Sequence, residues 1–399
     1  MRPWSRWQLF AGLLAKTVGL VFAVLLVLAA VRNPNATDFA VYRGSVQSML
    51  AGGSLYGFEL TGHTAANLPF TYPPFAGLLL APIGALPLEA GFLAWTLLQL
   101  IGCVLVAVLV FRGSPRRLRR PRAEERISLG LVLVALLLSD PVVHGVAVGQ
   151  VSLLLVVLLV LDNLVVGRWR GVLTGIAGAV KLTPLVFLPY YLVTRQWREA
   201  RNLGIGFVGA TGLAFAVLPA DSVRYWTELV FSTGRVGDVA SRRNKSLLGM
   251  LAHWGLTDGV QVIVWLVLAA AIAGLALWRA ARHHRRGEGL SAVLVVGVLS
   301  TVVSPISWPH HLVWASLAGV HLVLTGPRWA RWLGAGLLVL LFANTPLMGY
   351  DDAAAAWLVH AEGLVTLGLV ALAVLGFPRV FEPPGEPPDT EPAQLAEAA

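Results

Sequence analysis

Lysine is nearly missing from this chain: Lys16, Lys181 and Lys245 are its only three, and the formal charge of +9 is carried by arginine. Cysteine is scarcer still. Cys103 stands alone inside an apolar run, which excludes an intrachain disulfide and a thiolate metal site and leaves a small core residue. Charged residues make up 13% of 399 positions, against the roughly 25% usual in soluble domains. The sequence also lacks a Walker phosphate loop, a strand-flanked dinucleotide fingerprint, zinc-type ligand spacing and any polar block large enough to bind a nucleotide. An activated substrate therefore has to arrive through a membrane.

What fills the chain instead is apolar: 57% of its residues. The runs 17–31, 88–111, 150–166, 260–278 and 354–376 each approach the roughly 17–25 residues that cross a hydrocarbon layer. Arginine lies between such runs in short clusters, the strongest at Arg112 to Arg126 and Arg279 to Arg286, with smaller ones at Arg2/Arg6, Arg168/Arg170, Arg195/Arg198/Arg201 and Arg328/Arg331. No continuous basic face results, so nucleic acid is not an expected partner and membrane lipids are. Placing the clusters in the cytoplasm sends the connections 32–87, 140–150, 220–246, 304–311 and 344–353 to the outer face. The expectation is an all-α, multi-pass plasma-membrane protein with about eleven or twelve spans and both termini inside. No small-x-small cleavage site precedes Arg32, so the first helix is read as retained. Residues 1–376 form one transmembrane domain, and the Pro-rich, acidic stretch 377–399 a disordered cytoplasmic tail.

Two segments resist an up-and-down reading. Residues 171–194 lie between basic flanks that both belong inside, yet Lys181-Leu182-Thr183-Pro184 interrupts the run. A hairpin of two half-helices resolves this, its break deep enough to line a cavity. Tyr72 to Leu86 begins at Pro73-Pro74 and stops at Pro87, too short to span, and is placed as a juxtamembrane or re-entrant helix on the outer face.

The polar residues of the outer segments carry the candidate chemistry. Asp38 follows the first helix; either Thr37 or Asp38 caps the short stretch 39–51, or Asp38 is a general base for a substrate hydroxyl. Lys181 either snorkels to an interface or meets an anion in the broken hairpin. His310 and His311, in Ser304-Pro305-Ile306-Ser307-Trp308-Pro309-His310-His311, are not spaced for a shared metal and suit a phosphate or sugar, the alternative being a structural helix start. Asn244 closes the loop 220–246, whose Arg224, Arg235, Arg242 and Arg243 break the inside bias and suggest an anionic partner, or a solvated basic loop near headgroups. His144 and Gly149-Gln150 form an outer turn with little specificity of its own.

The strings TDFAVY at 37–42, LPFTYPPFAG at 68–77, GQVSLLLV at 149–156, GIAGAVKLTP at 175–184, NKSLLG at 244–249 and VSPISWPHHLVW at 303–314 resemble, in order, the polyprenol-phosphate-mannose-dependent α-1,2-mannosyltransferases of actinobacteria. That is glycosyltransferase family 87, with the GT-C architecture, and the resemblance runs through nearly the whole chain. It implies short extracytoplasmic helices in the first outer loop, and Asp38 as the catalytic acidic residue. It also implies donor phosphate and sugar contacts from Lys181, His310, His311, Arg242, Arg243 and Asn244, and acceptor or sugar contacts from Tyr42, Arg43, Tyr72, His144, Gln150 and Trp308. The family shows Asn-Gln-Ser where this chain has Asn244-Lys245-Ser246, and Gly-Gln-x-Asn where it has Gly149-Gln150-Val151-Ser152, departures that bear on the acceptor.

The implied reaction takes mannose from a polyprenyl-phosphate-mannose donor to a hydroxyl, the 2-OH of mannose, of a mannosylated glycolipid, with one inversion. No cofactor or metal is implied, because protein cations answer the phosphate. Tyr42, Tyr72, Trp308 and Trp314 either stack on sugars or belong to interfacial belts. Two other readings stay open: a lipid or sugar transporter, for which a broken helix and a membrane lysine are also expected, and a GT-C transferase of another lipid-linked sugar such as arabinofuranose.

Overall fold

Long stretches of Leu, Val and Ala have no water to satisfy their backbone in lipid, so they close their hydrogen bonds within helices. The computed structural model describes residues 17–28, 36–62, 67–113, 122–241, 243–343 and 365–378. Within them the chain is helical almost throughout. In order the helices are α1 (Thr17–Leu28), α2 (Thr37–Leu50), α3 (Pro74–Gly84), α4 (Leu88–Gly113), α5 (Arg122–Leu137), α6 (Asp140–Val148), α7 (Ser152–Leu164), α8 (Val172–Val180) and α9 (Phe187–Val193). They continue as α10 (Trp197–Val217), α11 (Pro219–Thr227), α12 (Leu247–His253), α13 (Asp258–Arg285), α14 (Gly289–Val303), α15 (Val313–Thr325), α16 (Arg328–Ala343) and α17 (Val365–Leu375). The one sheet among the described residues is a two-stranded antiparallel ribbon, Glu59–Leu60 with Leu68–Pro69, in the first loop.

Helices α4, α10 and α13 are each long and apolar enough to cross a membrane, and α5 with α6, bent by 57° at Leu138-Ser139, forms either a broken span or a re-entrant loop. At ~1.5 Å per residue, the 26 residues of α4 exceed the hydrocarbon thickness. The outward faces are apolar too: Val260, Ile263, Leu266 and Val267 of α13 are all exposed, which suits lipid as the solvent. The chain is an all-α, polytopic membrane protein.

Contacts sort the ends of the helices into two groups. At one end, Asn202 donates to the carbonyls of Arg168 and Arg170, Tyr190 meets His284, and Gly113 lies against Leu164 and Leu290. These are the arginine-rich ends of α4, α7, α8, α9, α10, α13 and α14. Exposed Trp169, Trp197, Trp278, Trp329 and Trp332 stand beside those arginines, the position an interfacial aromatic belt takes. Phe377, assigned by sequence to the start of the tail, is buried at this same end, where its N–H donates to His283 Nε2. Residues 379–399 lie outside the described residues. At the opposite end gather the polar motifs: Asp38, Tyr72, Gln150, Lys181, Asn244 and His311.

The broken hairpin forms as expected. Helix α8 rises from the arginine end to Lys181, a short 3-10 turn at Thr183–Val186 reverses the chain, and α9 returns. Thr174 near the start of α8 and Tyr191 near the end of α9 are 3.4 Å apart through their hydroxyls, so the halves run antiparallel. Asp162 holds the base of the hairpin by accepting from the backbone of Gly171 and Thr174 and from the Thr174 hydroxyl. The first half of α8 is held against α10 by glycines. A Cβ at Gly175 would collide with the Leu203 carbonyl, and one at Gly206 with the Val172 carbonyl. Small residues let membrane helices approach this closely. Replacing Gly175 by leucine is therefore expected to part the two helices and cost about 1–3 kcal/mol or more, read as a lowered unfolding temperature in detergent; an unchanged temperature would show that α8 and α10 are not packed this way.

Candidate active site

The first loop sets the floor of the site. Ala36, not Thr37 or Asp38, is the N-cap of α2, and no side chain caps the helix. The capping expectation is therefore corrected: Asp38 lies within the first turn, and its carboxylate reaches across the bundle. Gln150 Nε2 donates to Asp38 Oδ2 at 2.9 Å. Gln150 is brought there by a turn that requires glycine. Gly149 has φ of 77°, and a Cβ on it would strike Phe39, the residue after Asp38. Trp95 Nε1 fastens the turn by donating to the Gly149 carbonyl at 2.8 Å.

Behind Gln150 stand two tyrosines. Tyr42 donates to Tyr72 Oη at 3.1 Å, and Tyr72 donates to Gln150 Oε1 at 2.9 Å. The two rings lie 5.6 Å apart, buried among Phe70 and Trp95. Over the face of Tyr72, 5.2 Å from its centroid, sits the Lys181 ammonium at the hairpin tip. Lys181 Nζ is 2.7 Å from His311 Nε2, and the Trp308 backbone N–H donates to Nδ1 of the same ring at 3.1 Å. Lysine therefore points into protein, not toward an interface. Its charge also acts on Asp38. Burial pushes the Asp38 carboxyl up to about 6, while the Gln150 amide and the Lys181 charge hold it from rising further.

A cleft opens beside Lys181 and His311. Lys181, His311 and Ser152 line its polar side, and Leu155, Val156, Leu159, Phe187 and Trp314 an apolar one. Ser300, Thr301, Ser304 and Ser307 also face it. Each of these four hydroxyls donates to a backbone carbonyl, at 2.6 to 2.9 Å. Their protons being engaged, the oxygens offer lone pairs, which accept from hydroxyl groups.

The remaining expected residues separate into three kinds. Asn244 is buried and fully engaged, its Nδ2 donating to the Val239 and Pro305 carbonyls and its Oδ1 accepting from the Ser246 and Ser307 N–H groups. An amide has two donors and two acceptor sites, so Asn244 clasps the loop 220–246 to the turn 304–311. Arg43 is turned away from Asp38 and donates to the Leu86 carbonyl and to Gln47. Arg235 is engaged with the Phe70 carbonyl and the Tyr56 ring, Arg243 is exposed, and Arg242 lies outside the described residues. Trp308 packs against Gly237, and Trp314 lies in the cleft 6.4 Å from Phe187. His310 is buried, stacked on His144 at 5.6 Å, and among the described residues neither of its ring nitrogens has a hydrogen-bond partner. Among the described residues no three His, Cys, Asp or Glu side chains are grouped to hold a metal.

This arrangement sets a carboxylate whose proton affinity is raised within electrostatic reach of a cation that lines a half-apolar cleft. The profile of glycosyltransferase family 87 matches residues 70–305. The chain belongs to glycosyltransferase family 87. Curated relatives include a polyprenol-phosphate-mannose-dependent alpha-(1-2)-phosphatidylinositol mannoside mannosyltransferase of Mycobacterium tuberculosis, 32% identical over 79% of this chain and 76% of the relative. Its counterpart in Mycolicibacterium smegmatis is 32% identical over 85% of each. A phosphatidylinositol pentamannoside mannosyltransferase of the same organism is 31% identical over 86% of this chain and 85% of the relative.

In this family 87 chain, sequence reasoning undervalued Gly149-Gln150. A glycine preceding a polar residue between two apolar runs is the signal of a positive φ that redirects the chain. If Asp38 acts as a base, only its ionised form works, so kcat/KM should fall about tenfold per unit as the pH drops below about 6. A rate that rises on acidification would assign Asp38 a different role.

Proposed function

We propose that this family 87 chain moves mannose from a polyprenyl-phosphate-mannose donor to the 2-OH of a mannose on a mannosylated glycolipid, a phosphatidylinositol mannoside, with inversion at the anomeric carbon. The reading rests on one juxtaposition. Asp38 is bonded to Gln150, Gln150 to Tyr72, and over Tyr72 sits Lys181, which with His311 lines a cleft that also has an apolar wall.

Each part then has a task. The apolar wall takes the prenyl chain, and lone pairs of the four hydroxyls accept from the mannose hydroxyls. Asp38 takes the proton of the acceptor hydroxyl as its oxygen bonds to the anomeric carbon. The bond from that carbon to the phosphate oxygen breaks, and the electron pair leaves with polyprenyl phosphate, whose growing negative charge Lys181 stabilises. Lys181 supplies that charge without a metal or other cofactor. The arginine clusters at the other end of the bundle orient the site toward the extracytoplasmic face of the plasma membrane by the positive-inside rule.

The purified protein in nanodiscs, given labelled polyprenyl-phosphate mannose and a phosphatidylinositol mannoside, should yield a glycolipid larger by one hexose, with a 2-linked mannose on methylation analysis. A pentose added from an arabinofuranosyl donor in preference to mannose, or movement of the lipid without sugar transfer, would overturn the reading.

A further inference from the structure

Asp38 has two oxygens, and they are treated differently. Oδ2 accepts from Gln150, while Oδ1 takes no hydrogen bond among the described residues. Gln150 itself has no freedom to turn. It is buried, and its Oε1 is met by three donors: the Tyr72 hydroxyl at 2.9 Å, the Val151 N–H at 3.1 Å and the Ser152 hydroxyl at 3.4 Å. With the oxygen so fixed, the NH₂ group has to face Asp38. Tyr42 in turn fixes Tyr72.

We propose that Gln150 is the positioning residue for Asp38: the Tyr42–Tyr72–Gln150 chain holds one carboxylate oxygen so that the other faces the acceptor hydroxyl, and keeps the carboxylate ionised near neutral pH. Gln150 does not contact the acceptor. The proposal rests on Asp38 being the base of the reaction proposed above. It adds that base strength and aim are set from the α6–α7 turn and the first loop, by residues that do not line the cleft. A hydrogen bond to the charged form favours that form, so loss of Gln150 weakens ionisation where burial already opposes it. The groups facing Asp38 are Gln150 from the α6–α7 turn, Lys181 from the hairpin tip, and Tyr42 and Tyr72 from the first loop.

The test is the titration of Asp38 itself, read by difference infrared spectroscopy of the carboxyl band against Asp38→Asn, together with pH profiles of transfer. In Gln150→Leu the midpoint should rise by about one unit and the acid limb of kcat/KM should move with it. The pH-independent rate should fall about tenfold to a hundredfold from lost aim, and the acceptor KM should stay as it was. Tyr72→Phe, which removes one of the three donors to Gln150 Oε1 and leaves the amide in place, should shift the midpoint in the same direction by less and serves where Gln150→Leu fails to fold. A midpoint that stays put in both folded variants, or a change confined to acceptor KM, would overturn the proposal. Because the infrared midpoint is read without turnover, a shift accompanied by activity that survives Asp38→Asn would leave the positioning intact and remove Asp38 as the base.

Discussion

Asp38→Asn is expected to lower kcat by about 10²–10⁴-fold while leaving the affinity for polyprenyl-phosphate mannose unchanged. Asparagine keeps the shape of the side chain, and its Oδ1 can still accept from Gln150, so the local fold has no reason to change. What disappears is a proton acceptor. The acceptor hydroxyl is a poor nucleophile until its proton begins to leave, and among the described residues the Lys181, His311 and hydroxyl groups of the cleft offer no second carboxylate to receive it. Asp38→Glu restores the charge but lengthens the reach by one methylene, so it should recover part of the rate only. The measurement is initial velocity at saturating donor and acceptor, with donor binding followed separately. More than about a tenth of the wild-type kcat in Asp38→Asn would remove the carboxylate from the chemistry, since general-base assistance is not so small.

Much of the architecture was legible because membrane proteins announce themselves through two coarse signals, apolar length and arginine position. The hairpin 171–194 is the clearest case. Two basic flanks on the same side, a run long enough to leave and return, and Lys181-Leu182-Thr183-Pro184 in its middle admitted few other paths, and Thr174 meeting Tyr191 is what that path requires. The short α3 was legible for a similar reason, bounded by prolines that neither donate nor continue a helix. What apolar length could not reveal was the end of the domain. Phe377 begins a proline-rich, acidic stretch, yet it packs on His321 with its ring 4.9 Å away, because a single aromatic at the end of α17 still finds a hydrophobic slot.

The candidate site was legible as a list and not as an arrangement. Asp38, Lys181 and His311 stood out as polar residues in apolar surroundings, where each needs a partner, and the structure brings Lys181 and His311 into one cleft and links Asp38 to them through Gln150 and Tyr72. Asn244 stood out equally and proved to be a clasp, because residue type says nothing of whether four hydrogen-bonding sites are already filled. Arg43 likewise spends its guanidinium on Leu86 and Gln47. Gln150 shows the converse. Its importance depends on contacts with Asp38, 112 positions earlier, and Tyr72, 78 positions earlier, separations that no local pattern encodes.

Lys181→Met is expected to reduce kcat by about 10²–10³-fold, the loss typical when a charge-stabilising group is removed from a desolvated site. Methionine retains most of the apolar stem and removes the charge that sits over Tyr72, so the hairpin tip should keep its place. The departing polyprenyl phosphate gains negative charge as the glycosidic bond breaks, and at the mouth of an apolar cleft that charge is poorly answered by solvent. Lys181→Arg should recover only part of the rate. A planar, forked guanidinium cannot occupy the position 2.7 Å from His311 that a compact ammonium fills. The two large effects separate by product inhibition. Free polyprenyl phosphate carries the charge of the leaving group, so it should inhibit Lys181→Met more weakly than wild type and inhibit Asp38→Asn at least as well. Equal inhibition of Lys181→Met and wild type would place the phosphate elsewhere, and would leave the ammonium at the hairpin tip with the sugar or with His311 alone.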